Sequence, residues 1–431
     1  MNLGRWLLIV GASTWVAACG GLRVDTALPG SDEALYGSFY PYYAEYCAAS
    51  QLKKRPGFGT DPSSGIGGHS VFWLNGVCRD PSAGYPTLKL CDGTTPPDQQ
   101  GVGLSVNAHF KNTVWVATPG RDFFFRGTLA PKQQLTRAEY EHTLAVAEKL
   151  GIYEGVEFHP GVFDDQPPGM SRREFMYDIS IATDYAVNYG RDRYCARVPL
   201  DREQITKAVG YLNNLNADYK SGKRDFEWNV VQNNCSHVTH NALAAAGIWD
   251  EWETGEFVLF AAFNFPSPKN EFVNLMRRTN DLPVDDLMTV WKDDAARAAL
   301  LRGQELPTQP GALAEAEKVV WDNEIYDTDL ALIFYDDPVF GAYTKRFEDI
   351  FSDRRYSDFR TSLTYFAELY ARIRAERKPL ETNLDDLAPD ERSRFAKFYA
   401  QYYDHVDRSI VRVDAVIAAL GAASSTRASA K

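Results

Sequence analysis

The sequence predicts an α+β fold: a small antiparallel sheet with packed helices, followed by an all-helical C-terminal region. Three observations carry this. Between residues 69 and 126, short β-branched and aromatic runs are bounded by Gly, Pro and Asn. From Thr136 onward, helix-start signatures replace them. Past a Pro/Gly/Gln-rich break from Glu305 to Gly311, apolar residues keep helical spacing and no strand pattern continues.

Taken in order, Gly20 to about Ser31 reads as a tether, and the folded part begins near residue 36. A Tyr-rich helix is expected from about Asp32 to Ala49. Gly57 to Gly68 is loop by composition. Strands are expected at His69 to Leu74, Val102 to Phe110, Thr113 to Ala117 and Asp122 to Arg126. Thr136-x-x-Glu139, Ser171-x-x-Glu174 and Asp201-x-x-Gln204 each have the form of a capping box, and the last opens a helix to about Tyr219. A further helix starts beside Cys235 and stops at Gly247. No strand is expected beyond about Trp252. Phe359, Leu363, Phe366, Tyr370 and Ile373 share one helical face, and Pro389-Asp390-Glu391 starts a long terminal helix. The small, polar tail after Gly421 reads as disordered. The division is 36–250 for the α+β domain, 251–420 for the helical region and 421–431 for the tail.

The first residues carry one positive charge, an apolar run from Trp6 to Val16 and a small-residue exit, the layout of a secretory signal. A run of about eleven residues is too short to span a bilayer. Val16-Ala17-Ala18-Cys19 resembles the bacterial lipobox, which implies a signal peptide of 1–18 and lipidation of Cys19. Gly20 is not the aspartate that holds such lipoproteins in the inner membrane, so the resemblance implies an outer-membrane anchor facing the periplasm. The partner there is the membrane, through the N-terminal lipid. The plain alternative is an ordinary cleaved signal with an incidental Cys.

At 45% hydrophobic and 13% aromatic residues, the chain can bury a sizeable core and is long enough for two domains. A net charge of −12 argues against nucleic acid, because neutralising phosphates takes clustered Lys and Arg. With Cys19 lipidated and Cys235 kept as a thiol, Cys47, Cys78, Cys91 and Cys195 remain. An even remainder in an oxidising compartment suggests two disulfides. Cys78–Cys91 brackets a turn-rich segment and Cys47–Cys195 would follow, although four cysteines admit three pairings.

The stretch Asn233-Asn234-Cys235-Ser236-His237 holds the chemistry. A Cys in the first turn of a helix feels the positive end of the helix dipole, which favours the nucleophilic thiolate. The N–H groups of that turn can stabilise an oxyanion, and His is the usual base for such a thiol. Asn-Asn-Cys at a helix start resembles the circularly permuted branch of the papain-like superfamily, which holds NlpC-type envelope peptidases and lecithin–retinol acyltransferase. That resemblance implies a catalytic His on a strand upstream of the Cys, supplied here by Gly67-Gly68-His69-Ser70. It also implies a third polar residue on the neighbouring strand, where Ser105, Asn107 and His109 alternate onto one face. His109 is the first choice and Asn107 the second. Asn229 and Gln232 are weaker candidates for the oxyanion hole. Two long inserts, before the second strand and before the Cys helix, depart from the compact family pattern.

Blander readings stand beside these. The blander reading of Cys235 is a buried core cysteine. His69 alone reads as a hydrogen-bonded strand-edge residue. Cys235, His237 and His240 invite a zinc reading, but no second ligand cluster accompanies them. The Tyr-rich stretches read as packing, and Asp285-Asp286 as a solvated face.

The expectation is therefore a thiol hydrolase that needs no cofactor and cleaves an amide, by default in peptidoglycan peptides, with a cell-envelope polymer or peptide as partner. The alternatives are acyl transfer or lipid deacylation on the same fold, and a non-catalytic lipoprotein whose helical region binds a protein.

Overall fold

A computed structural model describes residues 18–19, 30–58, 68–96, 99–229, 233–252, 267–329, 332–333, 342–384 and 387–429. The signal segment before Ala18 and Gln232 lie outside them. Ala18–Cys19 pairs antiparallel with Leu332–Ile333 through the backbone.

The main sheet has six antiparallel strands. In chain order they are β1 (Tyr43–Ala49), β2 (His69–Asn75), β5 (Gly101–Ser105), β6 (Val116–Pro119), β7 (Arg193–Pro199) and β8 (Leu313–Glu317). They lie in the order β6-β5-β2-β1-β7-β8. The short strands β3 (Val77–Arg79) and β4 (Leu88–Leu90) form a separate hairpin. Helices cover both faces of the main sheet. On one face lie α3 (Arg137–Leu150), α4 (Arg172–Ser180), α5 (Arg202–Lys220), α6 (Cys235–Ala245), α7 (Pro268–Asn280) and α10 (Tyr343–Ser352). On the other lie α1 (Gly30–Phe39), α2 (Arg121–Arg126), α8 (Leu287–Lys292), α9 (Asp294–Gly303), α11 (Phe359–Ala375) and α12 (Arg392–Ser429). Among the described residues no helix is long and apolar enough to cross a membrane.

The chain is α+β, and among the described residues its C-terminal region is helical apart from β8 and the short pairing at Leu332–Ile333. The capping boxes at Ser171 and Asp201 are both complete, and the Thr136 side chain accepts from the Glu139 amide. Five expectations need correction. The helix expected to run to Ala49 ends at Phe39, because Pro41 disfavours helix in the residue before it and β1 begins at Tyr43. β1 is buried on both faces, so it shows no polar alternation to read. Asp122 to Arg126 is helix, not strand, since Phe124 and Phe125 pack on Trp73 and tertiary packing overrides aromatic β-propensity. Gly103 makes room for it; a Cβ there would sit 2.0 Å from the Phe124 ring. β8 falls where no strand is expected, being Leu-Ala-Glu-Ala-Glu, a poor strand former. The chain past Ser105 leaves the sheet instead of continuing to Phe110. Finally, α12 extends to Ser429, past the Gly421 after which a disordered tail is expected.

Besides its backbone pairing with β7, β8 joins a buried network of charges. Glu45 of β1, Arg193 and Arg197 of β7, and Glu315 and Glu317 of β8 are joined by Arg121 and Arg126 of α2 in one network. Burial alone would raise the Glu315 carboxyl, but Arg121, Arg193 and Arg197 hold it far below the usual range. On the same sheet face, Cys47 of β1 is bonded to Cys195 directly opposite on β7. Cys78 is bonded to Cys91 and closes the β3–β4 hairpin.

Candidate active site

Helix α6 begins on a polar cap. The Asn234 side chain accepts from the amides of Ser236 (2.8 Å) and His237 (3.1 Å), and the His237 ring completes the box. Asn234 thus takes two of the first-turn donors. The amide of Cys235 is left without a hydrogen bond among the described residues. Its side chain is a free thiol, only 6% exposed.

The sulfur of Cys235 accepts the backbone N–H of Ser70 at 3.4 Å. It therefore sits one peptide bond from the Cα of His69, at the start of β2. The strand start is tight. Gly68 has φ 77°, and a Cβ there would fall 2.4 Å from the Ala49 carbonyl oxygen, so glycine is required. Side chains alternate along β2. Ser70 points toward α6, where its hydroxyl lies 3.4 Å from that of Ser236, itself 3.2 Å from the Tyr46 hydroxyl. His69 consequently leaves toward the opposite face, and thiol and imidazole flank the end of the strand. They make no hydrogen bond to each other.

His69 Nε2 lies 3.0 Å from the hydroxyl of Ser105, the last residue of β5. Ser105 in turn donates to Asp184 Oδ1 at 2.7 Å. Burial, and then the charge of Arg191, push the His69 imidazole down to about 3, with the Thr183 backbone pulling weakly the other way. The ring is neutral at pH 7. Arg191 is itself buried and donates to the carbonyls of Ala182 (2.8 Å) and Ser50 (2.6 Å). Burial brings it down to about 10 against the opposing charges of Tyr326, Cys235 and Asp184.

Neither residue expected to orient His69 does so directly. β5 ends at Ser105, after which Phe110 N–H turns back to Asn107 O. The His109 ring lies against Phe158 (5.9 Å), its buried Nδ1 has no partner among the described residues, and burial and then His159 push it down to about 4. Asn107 reaches Asp184, at 3.4 Å, rather than His69. Ser105 is legible on the same alternating face; Asp184 and Arg191 carry no signal at all. Asn229 is exposed, with its backbone paired to Asn233.

The ring of His240 is sandwiched between Trp249 and Trp252, at 4.3 and 3.6 Å, with Nδ1 on Glu271 and Nε2 on the Asp250 carbonyl. Both nitrogens are engaged. One group of ligand-type atoms among the described residues is tight enough for a metal, namely Glu45, Cys47 and Cys195, and its two sulfurs are bonded to each other. Comparison of the chain with family models, with curated proteins and with solved structures returns no match.

Proposed function

We propose that the chain is a thiol hydrolase of the permuted papain-like kind, a lipid-anchored envelope protein in which Cys235 attacks an amide carbonyl and His69 moves the proton. One observation carries this: a free thiol in the first turn of a helix rests on the peptide bond that succeeds the only histidine of β2. Because His69 is neutral, one ring nitrogen carries a free pair and the thiol and imidazole do not rest as a preformed ion pair. The unclaimed Cys235 amide is an oxyanion donor in the right turn of the helix. It joins Asn229 and Gln232 as a candidate for that role.

Absence of a thiol–imidazole hydrogen bond favours a second reading, a non-catalytic lipoprotein on a related fold. Catalytic hydrogen bonds often tighten only when substrate is bound, which keeps the first reading ahead.

Iodoacetamide on the native full chain separates the two. The hydrolase reading expects alkylation of Cys235, followed by mass spectrometry, with a rate about tenfold lower or more in His69→Ala. Labelling that needs urea, or that ignores His69, overturns it. For the substrate, new amines released from peptidoglycan peptides support cleavage there, whereas fatty acid released from lipid moves the assignment to deacylation.

A further inference from the structure

Residues 180–186 form a tight loop in which two alanines are left-handed, Ala182 at φ 63° and Ala186 at φ 50°. Each costs an alanine roughly 1–2 kcal/mol, and such conformations persist where the surroundings over-determine them. What this loop delivers is contact with the site. The Ala182 carbonyl and Thr183 hydroxyl accept from Arg191, and the Thr183 backbone reaches His69. Between them and β5 sits Asp184, fully buried.

The Asp184 carboxylate receives Ser105 on Oδ1 (2.7 Å), Tyr153 on Oδ2 (2.9 Å) and Asn107 on both, while its carbonyl receives Thr118 (3.0 Å). A buried carboxylate persists only when hydrogen-bonded in this way. Because Ser105 gives its proton to Asp184, its lone pair faces His69 and accepts Nε2–H. A neutral imidazole protonated on Nε2 has its free pair on Nδ1.

We propose that Asp184, acting through the Ser105 hydroxyl, is the positioning residue that keeps the proton of His69 on Nε2 and so leaves the free pair on Nδ1, the nitrogen to which the hydrolase reading brings the proton of Cys235. This rests on the hydrolase reading. The Sγ–H bond breaks, its electron pair stays on sulfur, and Nδ1–H forms. The imidazolium keeps Nε2–H on Ser105, with the Asp184 charge one hydroxyl behind. After sulfur has bonded the carbonyl carbon, Nδ1–H passes to the nitrogen that leaves.

The groups facing Asp184 set how acid acts on it. Tyr153 approaches from the segment after α3, Tyr185 from its own loop, Arg191 from before β7, and His69 from β2 across Ser105. Burial raises the carboxyl to about 6, above the position of His69, so Asp184 takes the first proton on acidification. A protonated Asp184 donates to Ser105, which then turns its hydroxyl onto Nε2 and moves the ring proton to Nδ1. The base is lost below that pH and regained above it.

The test uses the full chain labelled with 15N-histidine, whose ring shifts distinguish the tautomers. Expected are Nε2–H for His69 at pH 7.5 in the wild type and Nδ1–H in Asp184→Asn. Iodoacetamide should label Cys235 about tenfold more slowly in Asp184→Asn and Ser105→Ala, with recovery to within about threefold in Ser105→Thr. If Asp184→Asn does not fold, Ser105→Ala carries the labelling comparison, and its loss of the acid-side fall near pH 6 replaces the tautomer readout. An Nδ1–H tautomer in the wild type, or an unchanged tautomer and rate in the variants, overturns the relay. A relay that behaves as expected around an inert Cys235 overturns the hydrolase reading instead.

Discussion

Asn234 does two jobs with one side chain: it caps α6 and, by occupying the next two amides, leaves that of Cys235 open. Replacing it with Ala should lower stability by about 1 kcal/mol, the usual value of such a cap. A urea titration measures this, and iodoacetamide reactivity of Cys235 should drop as the helix start frays. Both the cap and the thiol were legible, since Asn-Asn-Cys ahead of an Ala-rich run is a helix start with a nucleophile in it. His69 was legible through the glycines before it. The residues that hold His69 were not. Alternation ranked His109, Asn107 and Ser105 alike, and nothing local shows that the strand stops at Ser105. Asp184 comes from a loop 79 residues further on, and its placement depends on left-handed alanines that no local pattern announces.

Strands are where local sequence and packing disagree most. β1 and β7 are buried throughout, so their polar residues carry no periodic signal, and β8 is made of Ala and Glu after its first Leu. Strands such as these form because their side chains complete one another. Glu315 is 5% exposed and meets Arg121, Arg193 and Arg197. Removing one member of a buried ionic network strands the others, at about 3–5 kcal/mol. Glu315→Gln should therefore show a loss of that order in urea unfolding. His69, across the sheet, should keep its 15N shifts. A loss below about 1 kcal/mol would mean that β8 is held by its backbone pairing alone. Helices were easier to read because caps such as Ser171 and Asp201 are local, and local rules survive tertiary packing.

Across the whole molecule, the two disulfides differ in reach. Cys47–Cys195 joins residues 148 apart and Cys78–Cys91 residues 13 apart. Loop-closure entropy then assigns about 5 kcal/mol to the first and about 3 kcal/mol to the second. Replacing Cys47 and Cys195 together with Ala should lower the guanidinium midpoint further than replacing Cys78 and Cys91, and the order of the two shifts is the measurement. The longer bridge has another effect. It makes a covalent ring of the chain between β1 and β7, and His69, Ser105, Asp184 and Arg191 all belong to that ring, while Cys235 hangs from it. A protease that cuts once inside the ring releases nothing: on a non-reducing gel the nicked molecule runs as a single species. When the cut falls between β2 and β7, only a reductant frees the strand that carries the imidazole from the helix that carries the sulfur.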